Sequence, residues 1–152
     1  MLLPKLTVAA LAISLLAFCG RVAGDDAVKK DRQLYAGTWQ VVSAEANGNK
    51  VSEEDAKKIV VINKEDGAWT LQVEGKVVAR GTSKIDPAKK PKTIDLTETE
   101  GEDKGKTFLG IYEVGKDSRK VCLAESDKER PTQFSTKPGS GHVLAVFKRV
   151  KK

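Results

Sequence analysis

The chain has 152 residues, 39% of them apolar, and its 27 Lys and Arg against 21 Asp and Glu give a net charge of +6. This length favours one domain with a single modest core, and the apolar fraction, with charges of both signs interspersed, argues against a disordered chain. One histidine and two cysteines exclude most metal-cluster and disulfide-rich proteins, which leaves a small, mostly β domain of a binding type.

Residues 1–24 are predicted to be a signal peptide. Lys5 is followed by an uncharged run of 15 residues, 6–20. Export signals contain an apolar region of about 7–15 residues, whereas a bilayer crossing needs about 20, so this run is typical of an export signal rather than a stable membrane span. Small residues close the segment, and we place cleavage after Gly24. The mature protein is therefore expected in the periplasm or outside the cell.

Two alternatives exist for this segment, lipoprotein processing at Cys19 and a retained anchor. Lipoprotein processing is disfavoured because the residue before such a cysteine is normally small, and here it is Phe18. Removal of residues 1–24 would leave Cys122 as the only cysteine, so no disulfide could form within the chain. We expect this thiol to be buried and inert; the alternative is an exposed thiol that links two chains.

The next segment, residues 25–33, carries six charges in nine positions and is predicted to be a flexible leader. Beyond it, short stretches that alternate apolar and polar residues are separated by turns rich in Gly, Asn, Asp and Pro. This pattern predicts eight strands, at residues 37–45, 59–63, 68–73, 76–85, 93–98, 107–114, 119–124 and 142–150.

The connection between the first two strands has two local motifs. Asn47-Gly48 is a strong hairpin-turn pair because both residues tolerate positive φ. Ser52 can then cap a helix whose first turn is acidic, which suits the positive end of the helix dipole. We predict a helix of one or two turns there, since the next strand begins at residue 59.

Eight short strands joined mainly by tight turns predict an all-β, antiparallel, up-and-down arrangement. Closing the sheet into a barrel removes its two exposed edges, so an eight-stranded barrel is favoured over the alternative, an open sandwich. A barrel of this size either fills its interior with side chains or holds one small ligand. The one long connection, residues 125–141, is predicted to be a lid or to contain a further short strand.

The two ends of the predicted barrel resemble those of the lipocalins. Gly37-Thr38-Trp39 opens the first strand, and Phe147-Lys148-Arg149 ends the last. In the lipocalin superfamily, a G-x-W near the start and an Arg near the end meet where the barrel closes. The resemblance implies that Gly37, Trp39 and Arg149 close a calycin-type barrel, with the guanidinium over the indole face in a cation–π contact of about 2 kcal/mol.

Further motifs resemble a family of small, exported, lipocalin-like domains found mainly in planctomycete bacteria. The resemblance extends over most of the chain, from about Leu34 to Arg149. It is carried by residues 34–45, 91–95, 110–112, 123, 130–134 and 147–149. The T-D-Y motif of true lipocalins is missing near the sixth and seventh strands, so the resemblance implies the barrel rather than a lipocalin function.

The sequence offers little catalytic or metal-binding chemistry. His142 is the only imidazole, nothing places Ser140 or Cys122 beside it, and no G-x-S-x-G motif is present. We therefore predict that the protein is not an enzyme and uses no cofactor or metal. Calcium binding by the acidic loop is disfavoured against a solvated surface, because its carboxylates lack EF-hand spacing: Glu98, Glu100, Glu102 and Asp103.

Basic and aromatic residues give the remaining indications of partners. The lysines of residues 89–92 and the basic tail 148–152 could contact an anionic envelope surface weakly, or could serve only solubility. Nucleic acid is not expected, because it would call for more charge and an aromatic platform. Candidate pocket residues are the aromatic side chains that a cavity could expose: Trp69, Phe108, Tyr112, Phe134 and Phe147.

These observations predict an exported, non-enzymatic binding protein with a small apolar or amphipathic ligand inside a lipocalin-like barrel. The alternative is a barrel filled by its own side chains that binds a protein or an anionic envelope polymer. In that case the loop 125–141 and the basic tail would form the binding surface.

Overall fold

The structure, a computed structural model, describes residues 23–152, so the predicted signal peptide lies almost entirely outside the described residues. Within these residues there are two helices, α1 (Ala23–Tyr35) and α2 (Glu53–Lys57). The same residues form the strands β1 (Gly37–Ala46), β2 (Asn49–Lys50), β3 (Ile59–Asn63), β4 (Ala68–Val73), β5 (Lys76–Asp86), β6 (Lys92–Glu100), β7 (Thr107–Val114), β8 (Ser118–Ala124) and β9 (His142–Arg149).

The strands form a closed antiparallel barrel. Each of the strands β3 to β9 pairs with its neighbour in the chain, β1 pairs with β3, and β1 also pairs with β9. The barrel therefore has eight strands, and β2 is a two-residue extension that pairs only with the end of β1. This arrangement confirms the predicted all-β, eight-stranded, up-and-down barrel.

The local motifs between β1 and β3 are also confirmed. Asn47 and Gly48 have φ angles of 50° and 81°, the positive pair that a tight hairpin turn between β1 and β2 requires. The Ser52 hydroxyl accepts a hydrogen bond from the Asp55 backbone N–H at 3.1 Å and so caps α2. This helix is the predicted short helix after the first strand.

Because neighbouring strands run in opposite directions, their connections alternate between two ends of the barrel. At one end of the barrel, which we call the closed end, α1 lies across the opening. The other end, which we call the mouth, carries the residues 47–58, 74–75, 101–106 and 125–141. The core lies toward the closed end, with Tyr35, Trp39, Ile94, Tyr112 and Phe147 among its buried members.

The predicted flexible leader is wrong, because residues 25–33 lie within α1. Asp25 and Asp26 occupy the first turn of this helix and Arg32 the last, as the helix dipole favours. Asp31 accepts hydrogen bonds at 2.8 Å from the Tyr112 hydroxyl and from Lys92 Nζ. The charges of this segment thus face the barrel as well as the solvent.

Two further contacts fix α1 across the closed end. The Arg32 guanidinium donates to the hydroxyl and the carbonyl oxygen of Ser83 on β5. The ring of Tyr35, which is 4% exposed, packs edge-on against Tyr112, with 5.6 Å between ring centroids. The helix therefore belongs to the folded domain, and its last residue is part of the core.

Trp39 closes the barrel beneath α1. Its side chain is fully buried, and its indole N–H donates to the Tyr35 carbonyl at 2.9 Å. Trp39 lies opposite Arg149 in the β1–β9 register, with the guanidinium carbon 4.2 Å from the indole centroid. Arg149 also donates to the backbone carbonyls of Leu34, Ala36 and Lys116 at 2.6–2.7 Å. One guanidinium thus joins two segments of the chain, residues 34–36 and the turn after β7, to the indole.

Gly37 is required at this closure. Its φ of 127° lies in the region that favours glycine. A Cβ atom at this position would also lie 2.5 Å from Nη1 of Arg149. Any larger residue would displace the guanidinium that covers Trp39.

The long loop 125–141 contains no strand. It begins and ends at the mouth, and its middle part lies against the outside of the barrel. Arg130 donates to the carbonyls of Ile94 and Gly110 and to the Asp95 carboxylate at 2.7 Å. Pro131, the next residue of the loop, is fully buried. Of the two predicted alternatives, a further strand is therefore wrong, and only Glu125 of the loop reaches the interior.

We expect Trp39→Ala to lower the free energy of unfolding by about 3–5 kcal/mol, because it removes a large, fully buried aromatic side chain. Urea denaturation followed by circular dichroism measures this change. Val78→Ala is the control, since Val78 is 46% exposed and its truncation should change stability by no more than about 0.5 kcal/mol. Equal stability of the two variants would contradict the role of Trp39 in closure.

We expect Arg149→Ala to destabilise the protein more than Arg149→Lys. Lysine keeps the alkyl stem and the charge, but it loses the planar group that stacks on Trp39 and donates to three carbonyls. Thermal unfolding of the two variants and of the wild type tests the order. If both variants melt at the wild-type temperature, Arg149 does not hold the closed end together.

Candidate ligand cavity

A cavity of about 410 Å³ occupies the barrel interior between the closed end and the mouth. Its walls come from strands around the barrel, because inward-facing residues alternate with outward-facing ones along each strand. Most of the lining side chains are apolar, including Val41, Val61, Leu71, Leu96, Val121 and Leu123. The interior is therefore not filled by its own side chains.

The cavity exists partly because β1 and β9 place small side chains toward the interior. Ala44 and Ala145 are direct partners in the β1–β9 register, and both line the cavity. Two methyl groups face each other where larger side chains would meet. A longer apolar side chain at either position would project into the cavity.

Three of the five predicted pocket residues line the cavity: Trp69, Phe108 and Phe147. The indole N–H of Trp69 donates to the Thr82 carbonyl at 3.0 Å, which fixes the ring against the wall. Gly81 makes room for it, since a Cβ atom there would lie 2.3 Å from the indole. The alternation of apolar and polar residues predicts the strands β4 and β5, but it does not predict the close contact between Gly81 and Trp69.

The other two predicted pocket residues lie elsewhere. Tyr112 is fully buried near the closed end, where its ring packs against Tyr35 and its hydroxyl donates to Asp31, and it does not line the cavity. Phe134 is in the loop 125–141 on the outside of the barrel, with Lys120 Nζ 4.4 Å from its ring centroid. Their assignment to a pocket is corrected accordingly.

The inner end of the cavity contains a buried cation, Arg119, which sequence reasoning missed. Arg119 lies on β8 and is 4% exposed. Its guanidinium carbon is 4.4 Å from the ring centroid of Tyr35, 4.8 Å from that of Trp39 and 4.3 Å from that of Phe147. Its Nη1 donates to Asn63 Oδ1 at 2.6 Å. The sequence does contain one indication of this inward position: Arg119 lies two positions before the next inward-facing residue of β8.

Burial determines the electrostatics of this group. Desolvation lowers the pKa of Arg119 to about 10, with a smaller lowering contribution from nearby Arg149. This value is still far above neutral pH, so the guanidinium remains charged. Burial also raises the pKa of Tyr35, whose hydroxyl therefore stays protonated. The lining of the inner end thus combines the charge of Arg119 with the neutral polar groups of Tyr35 and Asn63.

The outer part of the cavity is acidic. Glu98, Asp103 and Glu125 contribute to its lining. Glu98 is 7% exposed and accepts a hydrogen bond from the Asp103 backbone N–H at 2.8 Å. The Asp103 carboxylate pairs with Lys106 at 2.7 Å. Among residues 23–152, no three His, Cys, Asp or Glu side chains are grouped so that they could hold a metal ion.

Other reactive side chains lie apart from the cavity's inner end. His142 is half-buried at the start of β9, and its contact with the Ser140 hydroxyl at 3.2 Å is made by its backbone N–H rather than its imidazole. Cys122 points out of the barrel and is buried, with Sγ 3.7 Å from the Ser135 carbonyl oxygen. Burial raises the pKa of this thiol.

Comparison with protein-family models, curated proteins and solved structures gives no match to the chain. Neither of the helices in residues 23–152 has the length and apolar character needed to cross a membrane.

We expect native Cys122 to react with a disulfide reagent such as DTNB much more slowly than the unfolded chain does, because the loop 125–141 covers it. The rate should rise with pH, since a raised pKa lowers the thiolate fraction at neutral pH. The matched control is Cys122→Ser combined with Ser118→Cys, which moves the thiol to an exposed position on the same strand. Equal rates for the two thiols would contradict this burial.

Proposed function

We propose that this protein is a non-enzymatic binding protein that holds a small apolar or amphipathic molecule inside its barrel. The observation that carries the proposal is the 410 Å³ cavity with predominantly apolar walls. Ligand pockets in proteins commonly measure about 300–1,000 Å³ and combine apolar walls with a few polar groups. The cavity has this size and this distribution of chemistry.

Physical chemistry favours occupation of such a space. Binding is favourable when an apolar ligand replaces the water that contacts apolar side chains, because apolar surface is then removed from water. Apolar protein cavities of only about 150 Å³ already take up small apolar molecules. The rings of Trp69, Phe108 and Phe147 would supply much of the contact surface, and all three lie on the cavity wall.

Export and relationship to the lipocalin-like domains are part of the same proposal. The apolar run of residues 6–20 supports export, and the Gly37, Trp39 and Arg149 pattern supports the relationship. A carrier that acts outside the cytoplasm would be consistent with a domain that has one thiol and buries it. Catalysis has no part in the proposal.

The alternative of a filled barrel has less support. Its premise is an interior packed by side chains, whereas the interior contains a cavity. The loop 125–141, its suggested binding surface, is held to the barrel wall by Arg130 and by Thr136, which donates to Glu45. A contact of the surface lysines with an anionic envelope remains compatible with ligand binding inside.

The experiment measures ligand binding to the purified, secreted protein. Its organic extract is analysed by mass spectrometry, and the delipidated protein is titrated with a fatty-acid probe while tryptophan fluorescence is recorded. We expect a co-purifying apolar molecule, or a saturable change in tryptophan emission, to which Trp69 contributes because its ring lies on the cavity wall.

Ala145→Phe is the diagnostic variant, because the new ring would fill part of the cavity. We expect it to weaken probe binding by at least about tenfold while preserving the circular dichroism spectrum. Lys148→Phe is the matched control, since it adds the same ring to the exposed, outward face of the same strand. An empty extract, together with no response to any apolar probe, would reject the proposal.

A further inference from the structure

We propose that the ligand is an amphiphile with one anionic head group, and that it enters the barrel head first so that the head group binds Arg119. This inference rests on the proposed function, because it identifies the chemical class of the molecule that the cavity would hold. It follows from the charge of the inner end, its unsatisfied hydrogen-bonding capacity and the acidity of the mouth.

Arg119 is a buried charge without a counter-ion in the described part of the chain. No Asp or Glu of residues 23–152 lies within ion-pair distance of its guanidinium. Arg130 and Lys92, which are partly buried, pair with Asp95 at 2.7 Å and with Asp31 at 2.8 Å. Arg32 and Arg149 have no carboxylate partner either, but each donates at least two hydrogen bonds to neutral acceptors, whereas Arg119 donates one. An isolated buried charge is costly, so an incoming anion would remove a penalty that the empty barrel retains.

The hydrogen bonds of Arg119 indicate where an anion would bind. Asn63 occupies Nη1, whereas Nε is fully buried and has no acceptor among the described residues. The rings of Tyr35, Trp39 and Phe147 pack against the guanidinium. An oxygen acceptor would therefore approach in the guanidinium plane. Because Nε is closed off and Nη1 already donates to Asn63, the acceptor would bind at Nη2, which has no acceptor among the described residues and is not fully buried. Carboxylates bind guanidinium groups in this plane, with two parallel hydrogen bonds.

The outer part of the cavity determines the orientation and the number of charges. Glu98, Asp103 and Glu125 line it, so a second anionic group near the mouth would meet carboxylates in a partly desolvated site. The apolar wall between the two ends suits a hydrocarbon chain. A molecule with a single anionic end, placed at Arg119, satisfies both ends of the cavity at once.

The test compares two ligands that differ only in the head group, dodecanoate and dodecanol, by calorimetry at pH 7.5 on the delipidated protein. We expect dodecanoate to bind about 10- to 100-fold more tightly, as charge-assisted hydrogen bonds to one guanidinium would give. Equal affinities would overturn the head-group inference and leave the proposed function standing. Binding of neither ligand would reject the proposed function, and this inference with it.

Asn63→Asp tests the role of Arg119 without removing a buried side chain. Aspartate has nearly the same shape as asparagine, and it would place a carboxylate where Oδ1 now accepts from Arg119 at 2.6 Å. The new carboxylate would neutralise Arg119 within the protein. We expect the preference for dodecanoate over dodecanol to fall to within about twofold, with dodecanol affinity maintained.

Ser118→Asp is the matched control, because it adds the same charge next to Arg119 in the chain but on the exposed face of β8. It should keep the wild-type preference for dodecanoate. Retention of that preference in Asn63→Asp would overturn the assignment of Arg119.

A measurement on the wild type alone complements the variants. The carboxyl ¹³C resonance of labelled dodecanoate, followed by NMR during an acid titration, reports whether the bound head group is ionised. Contact with a guanidinium favours the ionised form, so the bound carboxylate should protonate at a lower pH than the free acid. Protonation at the same or a higher pH would place the head group away from Arg119 and overturn the inference.

Discussion

The pairing of β1 with β9 is the constraint on which the rest of the structure depends. Without it the eight strands would be an open sheet with two unpaired edges and no enclosed interior. Trp39 and Arg149 stand opposite each other in this pairing, and the guanidinium links the indole to the carbonyls of Leu34, Ala36 and Lys116. The closure of the barrel, its core and its cavity therefore all depend on the pairing of β1 with β9.

The closed end also explains why the interior has a direction. Tyr35 of α1, Trp39 of β1 and Phe147 of β9 meet there around Arg119. Their faces compensate part of the cost of burying the cation, since desolvated cation–π contacts are favourable. The opposite end has carboxylates instead. The cavity therefore has apolar walls, a positive charge at its inner end and negative charges near the mouth.

Most of the barrel could be predicted from the sequence, because turn chemistry and period-2 alternation are local. The pairs Asn47-Gly48 and Glu74-Gly75 have positive φ at both residues and separate strands where the alternation breaks. The predicted strand bounds at residues 59–63, 68–73 and 107–114 agree with the structure to the residue. The bulge in β1 between Val41 and Ser43 had no comparable local indication.

Features that depend on distant contacts could not be predicted in this way. The segment 25–33 has the composition of a solvated leader, and only the partners of Asp31 and Arg32 on β5, β6 and β7 explain its helix. The inward position of Arg119 could not be predicted from its type, because a charged residue at the start of a strand usually faces solvent. The position of Phe134 outside the barrel could not be predicted either, because residue type alone does not distinguish the inner from the outer side of a barrel wall.

The direction of β9 has a practical consequence. This strand runs from the mouth to the closed end, where the Val150 N–H donates to the Thr38 carbonyl at 2.9 Å. Lys152 therefore leaves the barrel on the side opposite the opening. A tether attached there would orient each immobilised molecule with its entrance toward the solution, which leaves access to the interior unobstructed on a sensor surface.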